Sequence, residues 1–323
     1  MFTIYYHPRY WRRKRIFLTR NIKYSKFLTL FEYISWKLKK PLPENFIYSG
    51  PHKLINNLHK IFNQEEDVSF NDFKFENSYI VQFDNYGQEI YKHVLEKKPN
   101  SKIIIGPLIG LEKVNYLINI LKNNHNLKIL VASQMAKQNA ISLGFKSNQL
   151  VVWPVGVASQ KYCLGTRQYK KNLCLIYVKN RDPQELEEVK KVLEINSIKF
   201  KIFNYGNYKN SDLKKFAKKS EFGIVLTKTE SQGIAVQELM SAGLPLIVNG
   251  EDTNFWGEKI LKGTPTPYWS EYCGLKLDSI DNFEEVLRLF LKNINTYNPR
   301  RLIIDELTFE KTGHSLKQLF INS

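Results

Sequence analysis

At 323 residues the chain is long enough for two domains of ordinary size, each burying its own core, and its length calls for no third. A composition that is 43% hydrophobic and 24% charged is that of a globular protein, and no apolar run nears the roughly 18–20 residues a membrane-spanning helix requires. The formal net charge is +17, and three cysteines (Cys163, Cys174 and Cys273) without C-x-x-C spacing argue against both a disulfide framework and a structural zinc site.

Phe2–Tyr6 reads as a first strand, broken by His7-Pro8. Residues 1–40 hold eleven basic side chains against one acid, Glu32, interleaved with aromatics such as Tyr10, Trp11, Tyr24 and Trp36. Phe27, Leu28, Leu30, Phe31, Ile34 and Leu38 recur at helical spacing and predict a helix over Ser25–Leu38, stopped by Lys40-Pro41-Leu42-Pro43. Three readings of this segment stand. Its apolar stripe packs on a sheet with the lysines solvated, or residues 9–40 attach to an anionic membrane surface, where each basic residue contributes about 1 kcal/mol, or it binds nucleic acid. The last is disfavoured, because no helix-turn-helix, finger or RNP-like pattern accompanies the charge. The start of the chain has no apolar block with a small-residue cleavage site, which predicts cytoplasmic residence, with the membrane surface as a peripheral option.

Next, Ser49-Gly50-Pro51-His52 reads as a glycine turn opening an amphipathic helix through Leu54, Ile55, Leu58, Ile61 and Phe62. Tyr79–Phe83, Lys102–Ile105 and Lys128–Val131 are apolar runs separated by helical stretches at Tyr86–Glu96 and Glu112–Asn123, the alternation of a parallel sheet. A helix ending at Leu143 precedes Leu150–Val157, and residues 158–172 read as a polar linker. A second domain opens with a strand over Asn172–Val178, a helix over Gln184–Glu194 and a strand over Phe200–Phe203 that runs into Asn204-Tyr205-Gly206.

The most informative stretch follows. Phe222–Leu226 is a short buried strand, and Ile234–Ala242 are good helix formers closed by Gly243-Leu244-Pro245. Between and within them lie Glu230 and Glu238, eight positions apart, with Gly233 between the two. This places the pair at a strand-to-helix turn, where open α/β sheets bind ligands, and a glycine at a helix start lets backbone N–H groups approach a phosphate. Ionised carboxylates only accept hydrogen bonds, so a vicinal diol is a matched donor pair for each. The alternative is a helix cap beside a solvated side chain. No H-E-x-x-H occurs, and Asp278-Ser279-Ile280-Asp281 has one residue too many for a metal-holding D-x-D, which predicts a site without metal.

Glu230-Ser231-Gln232-Gly233 resembles the donor-site motif of retaining glycosyltransferase family 4, in which E-x-F-G opens a helix and a second glutamate follows. The resemblance implies an α/β protein of GT-B fold: two Rossmann-like domains facing across a cleft, with a C-terminal helix crossing back to the first. The domains would be 1–157 on the acceptor side, the linker 158–172, 173–297 for the nucleotide sugar, and a segment 298–323 packing back. Pro154-Val155-Gly156-Val157 resembles the P-x-G-[VI]-D that ends the first domain, with Ala158 in place of the aspartate. Gly50, Pro51 and His52 resemble a loop beside the acceptor.

By the same resemblance, Glu230 hydrogen-bonds hydroxyls of the transferred sugar, with Ser231 and Gln232 on the donor. Gly233 and Ile234 offer amides to the diphosphate, Glu238 takes the ribose hydroxyls, and Tyr205 and Gly206 meet the nucleobase. The family places an R-x-x-x-x-K after the first strand of the second domain. Here that strand end offers Lys179 and Arg181 to stabilise the charge that develops on the departing diphosphate, with Gln184 and Leu186 five residues beyond them where the pattern departs, and Lys228, just before Glu230, is the alternative cation. Gln232 stands where the family has Phe. Tyr177-Val178-Lys179-Asn180-Arg181, the E-S-Q-G and Pro267-Tyr268-Trp269 with Cys273-Gly274 together resemble one branch of GT-B proteins over residues 128–323.

The implied activity is transfer of a sugar from a UDP- or GDP-sugar to a glycan or glycolipid acceptor, with retention and with no cofactor beyond the nucleotide sugar itself. From a different class, the rival is a GT-B scaffold that has lost catalysis and binds glycan, membrane or nucleic acid. The altered cation pattern and Ala158 leave it open.

Overall fold

The computed structural model describes residues 1–6, 37–40, 50–62, 64–159, 169–256 and 259–321. All but the last two residues of the helix predicted over Ser25–Leu38 and most of the linker 158–172 lie outside them, as does Cys163. The chain divides into two compact units, one of Met1–Phe46, Pro51–Val155 and Glu310–Ser323, the other of Ile47–Gly50 and Gly156–Phe309.

The first unit is built on six parallel strands, β1 (Phe2–Tyr5), β2 (Val68–Phe70), β3 (Asn77–Phe83), β4 (Ile103–Ile109), β5 (Leu127–Val131) and β6 (Leu150–Val152). Their order across the sheet is β2-β1-β3-β4-β5-β6. Tyr79, Ile80 and Val81 on β3 and Ile103, Ile104 and Ile105 on β4 are all buried, the continuous apolar run of strands covered on both faces. Between the strands run α1 (Gly50–Phe62), α2 (Asn85–Lys97), α3 (Val114–Asn123) and α4 (Gln134–Ser142). Asp84 caps α2 by accepting from the amides of Tyr86 and Gly87, and Ser133 caps α4 by accepting from Ala136. Helix α2 lies so close to its strand that a Cβ on Gly87 would run into the Gln82 carbonyl oxygen.

The second unit has a sheet of five parallel strands, β7 (Lys170–Lys179), β8 (Lys199–Asn204), β9 (Ser220–Thr227), β10 (Leu246–Asn249) and, after the antiparallel hairpin β11 (Thr253–Trp256) and β12 (Lys259–Lys262), β13 (Gly274–Leu277). Its helices are α5 (Pro183–Ile195), α6 (Asn210–Lys219), α7 (Ile234–Ser241), α8 (Phe283–Lys292) and α9 (Pro299–Glu306). One face of the sheet packs Cys174, Ile176, Phe222, Ile224 and Leu226 against Val189 and Leu193 of α5 and Phe283, Leu287 and Phe290 of α8. Helix α6 contacts β7 and β9, and every residue of α7 is buried. Cys174, within this packed face, and Cys273 are both free and buried.

Across the sheet the order is β13-β10-β9-β7-β8. Read from β8, the chain winds one way from β7 and the other way from β9, so the switch point lies between β7 and β9. Crossover helices leave on opposite faces there, and a crevice opens beyond the carboxyl ends of those two strands. The last helix, α10 (Phe309–Ile321), supplies Phe320, which stacks on Phe2 at 4.4 Å between ring centroids, and Thr312, whose carbonyl accepts from Trp153 Nε1 at 2.9 Å. Lys317 on the same helix pairs with Glu65 at 2.6 Å and Asp67 at 3.0 Å. Thus residues 298–323 are shared, α9 going to the second unit and α10 to the first. No helix among the described residues is long and apolar enough to cross a membrane.

Candidate functional site

The crevice of the second unit begins with the end of β7. Lys179 is its last residue, and Asn180 turns the chain away with φ 54°, a left-handed conformation that asparagine tolerates better than most residues. Three residues beyond the end of β9 comes Glu230, whose amide donates to the Thr264 carbonyl at 2.8 Å. Across the switch point the two side chains meet: Lys179 Nζ lies 2.8 Å from both carboxylate oxygens of Glu230. The pair is largely shielded from water, with 19% and 11% of the two side chains exposed. Lys179 Nζ also sits 4.7 Å from the centre of the Tyr205 ring, a cation–π contact, and the Tyr205 amide is held by the Val178 carbonyl at 2.8 Å. Behind them Tyr177 is fully buried. Burial first, then Tyr208 and Glu230 nearby, holds its phenol well above the ordinary range, so it forms a neutral floor.

Arg181 is committed differently. Its Nε and Nη2 donate to the two carboxylate oxygens of Glu185, at 2.6 and 2.5 Å, and its Nη1 donates to Glu251 at 3.4 Å. Asp182 caps α5 by accepting from the Gln184 amide, which fixes the start of the helix that carries Glu185. Lys228 reaches Glu251 at 3.5 Å with 45% of its side chain exposed, the least engaged of the three cations. Its backbone joins the two strand ends: the Lys228 amide donates to the Lys179 carbonyl at 3.3 Å, and its own carbonyl accepts from Glu251 at 2.8 Å.

Gly233 adopts φ 78° and ψ 44° at the N-cap of α7, the left-handed turn that brings the chain from Glu230 into the helix. Gln232 is buried and tied to α7 by reciprocal bonds with Gln237, its Nε2 donating to Gln237 Oε1 at 3.0 Å and its carbonyl accepting from Gln237 Nε2 at 3.2 Å. Glu238 lies one turn further in, 7% exposed, with Asn210 Nδ2 at 3.4 Å and Lys214 Nζ at 3.7 Å. Gly206, at φ 79°, has open space where a Cβ would stand, and Ile234 is buried at the first position of α7. Gly50, Pro51 and His52 start α1, with His52 buried.

Lys179, Glu230 and Tyr205 thus form one contact set, and Arg181 and Lys228 converge on Glu251. Glu185, Glu251, Asn210, Lys214 and the Thr264 carbonyl were not anticipated. The Arg181–Glu185 pair carried a signal in its four-residue spacing at a helix start. Helix α6 also carried one, in the polar Asn210-Ser211-Asp212 before Leu213, Phe216 and Ala217. Among the described residues no group of three His, Cys, Asp or Glu side chains assembles that could hold a metal ion. Asp281 instead accepts from Ser279 within its own short turn, at 2.9 Å.

No protein-family model and no curated protein matches the sequence. Solved structures do match. HepE from Anabaena in complex with UDP is similar over 83% of this chain and 89% of its own, at 8% identity with a TM-score of 0.55. The lipopolysaccharide outer core galactosyltransferase WaaB is similar over 84% and 80%, at 12% identity and a TM-score of 0.52. The fold is GT-B. Sucrose-phosphate synthase from Thermosynechococcus elongatus is similar as well, with a TM-score of 0.50 at 12% identity over 84% of this chain and 77% of that one. A GT-B fold hosts many chemistries, so the activity is argued from the site.

Proposed function

We propose that this chain is a glycosyltransferase that moves a sugar from a nucleoside-diphosphate donor, UDP- or GDP-linked, to a glycan or glycolipid acceptor, with retention and without metal. The observation that carries this reading is the meeting of Lys179 and Glu230 at 2.8 Å across the switch point, directly before the Gly233 turn into α7. A departing diphosphate gains charge in the transition state and needs fixed cations and amides around it. Lys179 and Lys228 supply the cations, and the amides of Gly233 and Ile234 at the positive end of α7 supply the donors. Arg181, already bonded on three of its nitrogens, acts chiefly by holding Glu185 and Glu251 in place.

Glu230, with Ser231 and Gln232 beside it, takes the hydroxyls of the transferred sugar once Lys179 turns toward phosphate. Glu238 accepts from the ribose diol, Tyr205 and Gly206 border the base, and Gly50, Pro51 and His52 belong to the acceptor side. The acceptor attacks the donor from the face of the leaving group within an oxocarbenium-like ion pair, and the leaving phosphate takes its proton. The likeness to HepE, solved with UDP and with UDP-glucose, supports starting the donor search with uridine nucleotides.

The test is thermal melting against UDP, GDP and their sugar conjugates without added metal, for the wild type and Glu238→Gln. A ligand at 100 times its Kd adds about 2.7 kcal/mol of stability. The expected result is a shift with one nucleotide series that the variant loses. No shift with either series would overturn the donor-site reading in favour of a binding scaffold.

A further inference from the structure

At the amino end of the second unit's sheet, opposite Lys179 and Glu230, lies a groove of about 610 Å³ whose walls include Lys170, Lys171, Lys199, Lys219 and Phe216. Lys170 and Lys171 open β7, Lys199 opens β8, and Lys219 closes α6. All four lysines are exposed, and none forms an ion pair among the described residues. Glu221, the second residue of β9, accepts from the Asn172 amide at 2.7 Å.

Local rules explain only part of this. A lysine at the end of α6 suits the helix dipole, and Lys199 guards an edge strand against pairing. Lys170 and Lys171 stand where β7 overhangs β8, whose pairing begins at Leu173, so the edge rule reaches them too, but it does not ask that all four lysines meet around one concavity. Four ammonium groups around one concavity repel one another unless an anion answers them. Beside the groove stand two exposed apolar side chains. Ile195 ends α5 with 78% of its surface in water, two residues before the groove-lining Ser197, and Tyr169, 37% exposed, directly precedes Lys170.

We propose that this face docks on an anionic phospholipid surface, the lysines engaging headgroup phosphates while Ile195 and Tyr169 enter the interfacial layer. Basic side chains beside protruding apolar and aromatic ones are what such a surface selects; a soluble polyanion would gain nothing from Ile195. Lys170 and Lys179 end the same ten-residue strand. At roughly 3.3 Å per residue they stand about 30 Å apart, so docking leaves the donor crevice clear of lipid.

The experiment is co-sedimentation with phosphatidylglycerol–phosphatidylcholine vesicles and with pure phosphatidylcholine vesicles, using the full chain. It compares the wild type, the quadruple variant Lys170→Gln, Lys171→Gln, Lys199→Gln, Lys219→Gln, and Ile195→Ser. At about fivefold per lysine, the quadruple variant should lose on the order of a hundredfold or more in partitioning onto the anionic vesicles. Ile195→Ser should lose severalfold, and added salt should weaken the wild type. Both variants should keep the wild-type circular dichroism and melting curve, showing that the loss is not misfolding. A quadruple variant that partitions as tightly as the wild type would overturn the proposal, placing any binding elsewhere in the chain, such as residues 9–40. So would a wild type that ignores anionic vesicles yet binds inorganic polyphosphate in solution.

Discussion

The Lys179–Glu230 pair lends itself to a double-mutant cycle with Lys179→Met, Glu230→Gln and the two combined. With Nζ 2.8 Å from each carboxylate oxygen, two unit charges about 3 Å apart attract by about 5 kcal/mol at an effective dielectric constant near 20. Removing both groups from water offsets more than half of that, leaving a coupling of about 2 kcal/mol. Lys179→Met strands a carboxylate of which only 11% is exposed, so that variant alone should lose about 3 kcal/mol. Because Glu230→Gln in the same molecule removes the stranded charge, the double variant should be more stable than the two single losses predict when summed. Urea unfolding of the four proteins reads the coupling. In parallel, release of nucleoside diphosphate from the donor that shifts the melting curve reads the chemistry, where losing one cation at the leaving group should lower kcat by about a hundredfold or more. Single losses that add to within about 0.5 kcal/mol would refute the electrostatic argument. A Lys179→Met enzyme with unchanged kcat would refute the assignment of Lys179 to the diphosphate.

Three further outcomes follow from the same geometry. Gly233→Ala forces a side chain into φ 78°, which should cost about 1–2 kcal/mol in unfolding experiments and weaken nucleotide binding in calorimetry by moving the amides before α7. Arg181→Lys keeps the charge but not the fork that holds Glu185 and Glu251, so kcat should fall while donor affinity changes by less than about threefold; loss of affinity without loss of kcat would instead make Arg181 a direct phosphate ligand. His59, bonded to the Tyr6 hydroxyl at 2.8 Å and stacked on Phe70, is pulled by burial down from 6.5 to about 4. Above pH 6.5 both folded and unfolded chains carry it neutral. Below that the unfolded chain takes up a proton the folded site refuses, so stability should fall between pH 6.5 and about 4 by about 3 kcal/mol and then level off, a slope that His59→Gln should reduce.

Much of the architecture was legible because it rests on local patterns. The apolar runs at Tyr79–Phe83, Lys102–Ile105 and Lys128–Val131 became β3, β4 and β5 with ends shifted by a few residues, since strands buried on both faces must be apolar throughout. The strand, glycine and helix around Glu230 were equally plain, because a left-handed residue before a helix selects glycine. Strands β2 and β13, of three and four residues, are too short to show a period of their own. They exist because a neighbouring strand offers them hydrogen bonds.

Sequence alone therefore determined the longer buried strands and the helices between them, and that Glu230 lies at a strand-to-helix turn with Glu238 on the helix beyond it. Which acid meets which cation was decided only by the tertiary structure. Lys179 and Glu230 are 51 positions apart, and Arg181 and Glu251 are 70 apart. They meet because β9 pairs with β7 and β10 pairs with β9, bringing the loops beyond their carboxyl ends together. Strand order is fixed by packing across the whole sheet, and no local spacing encodes it.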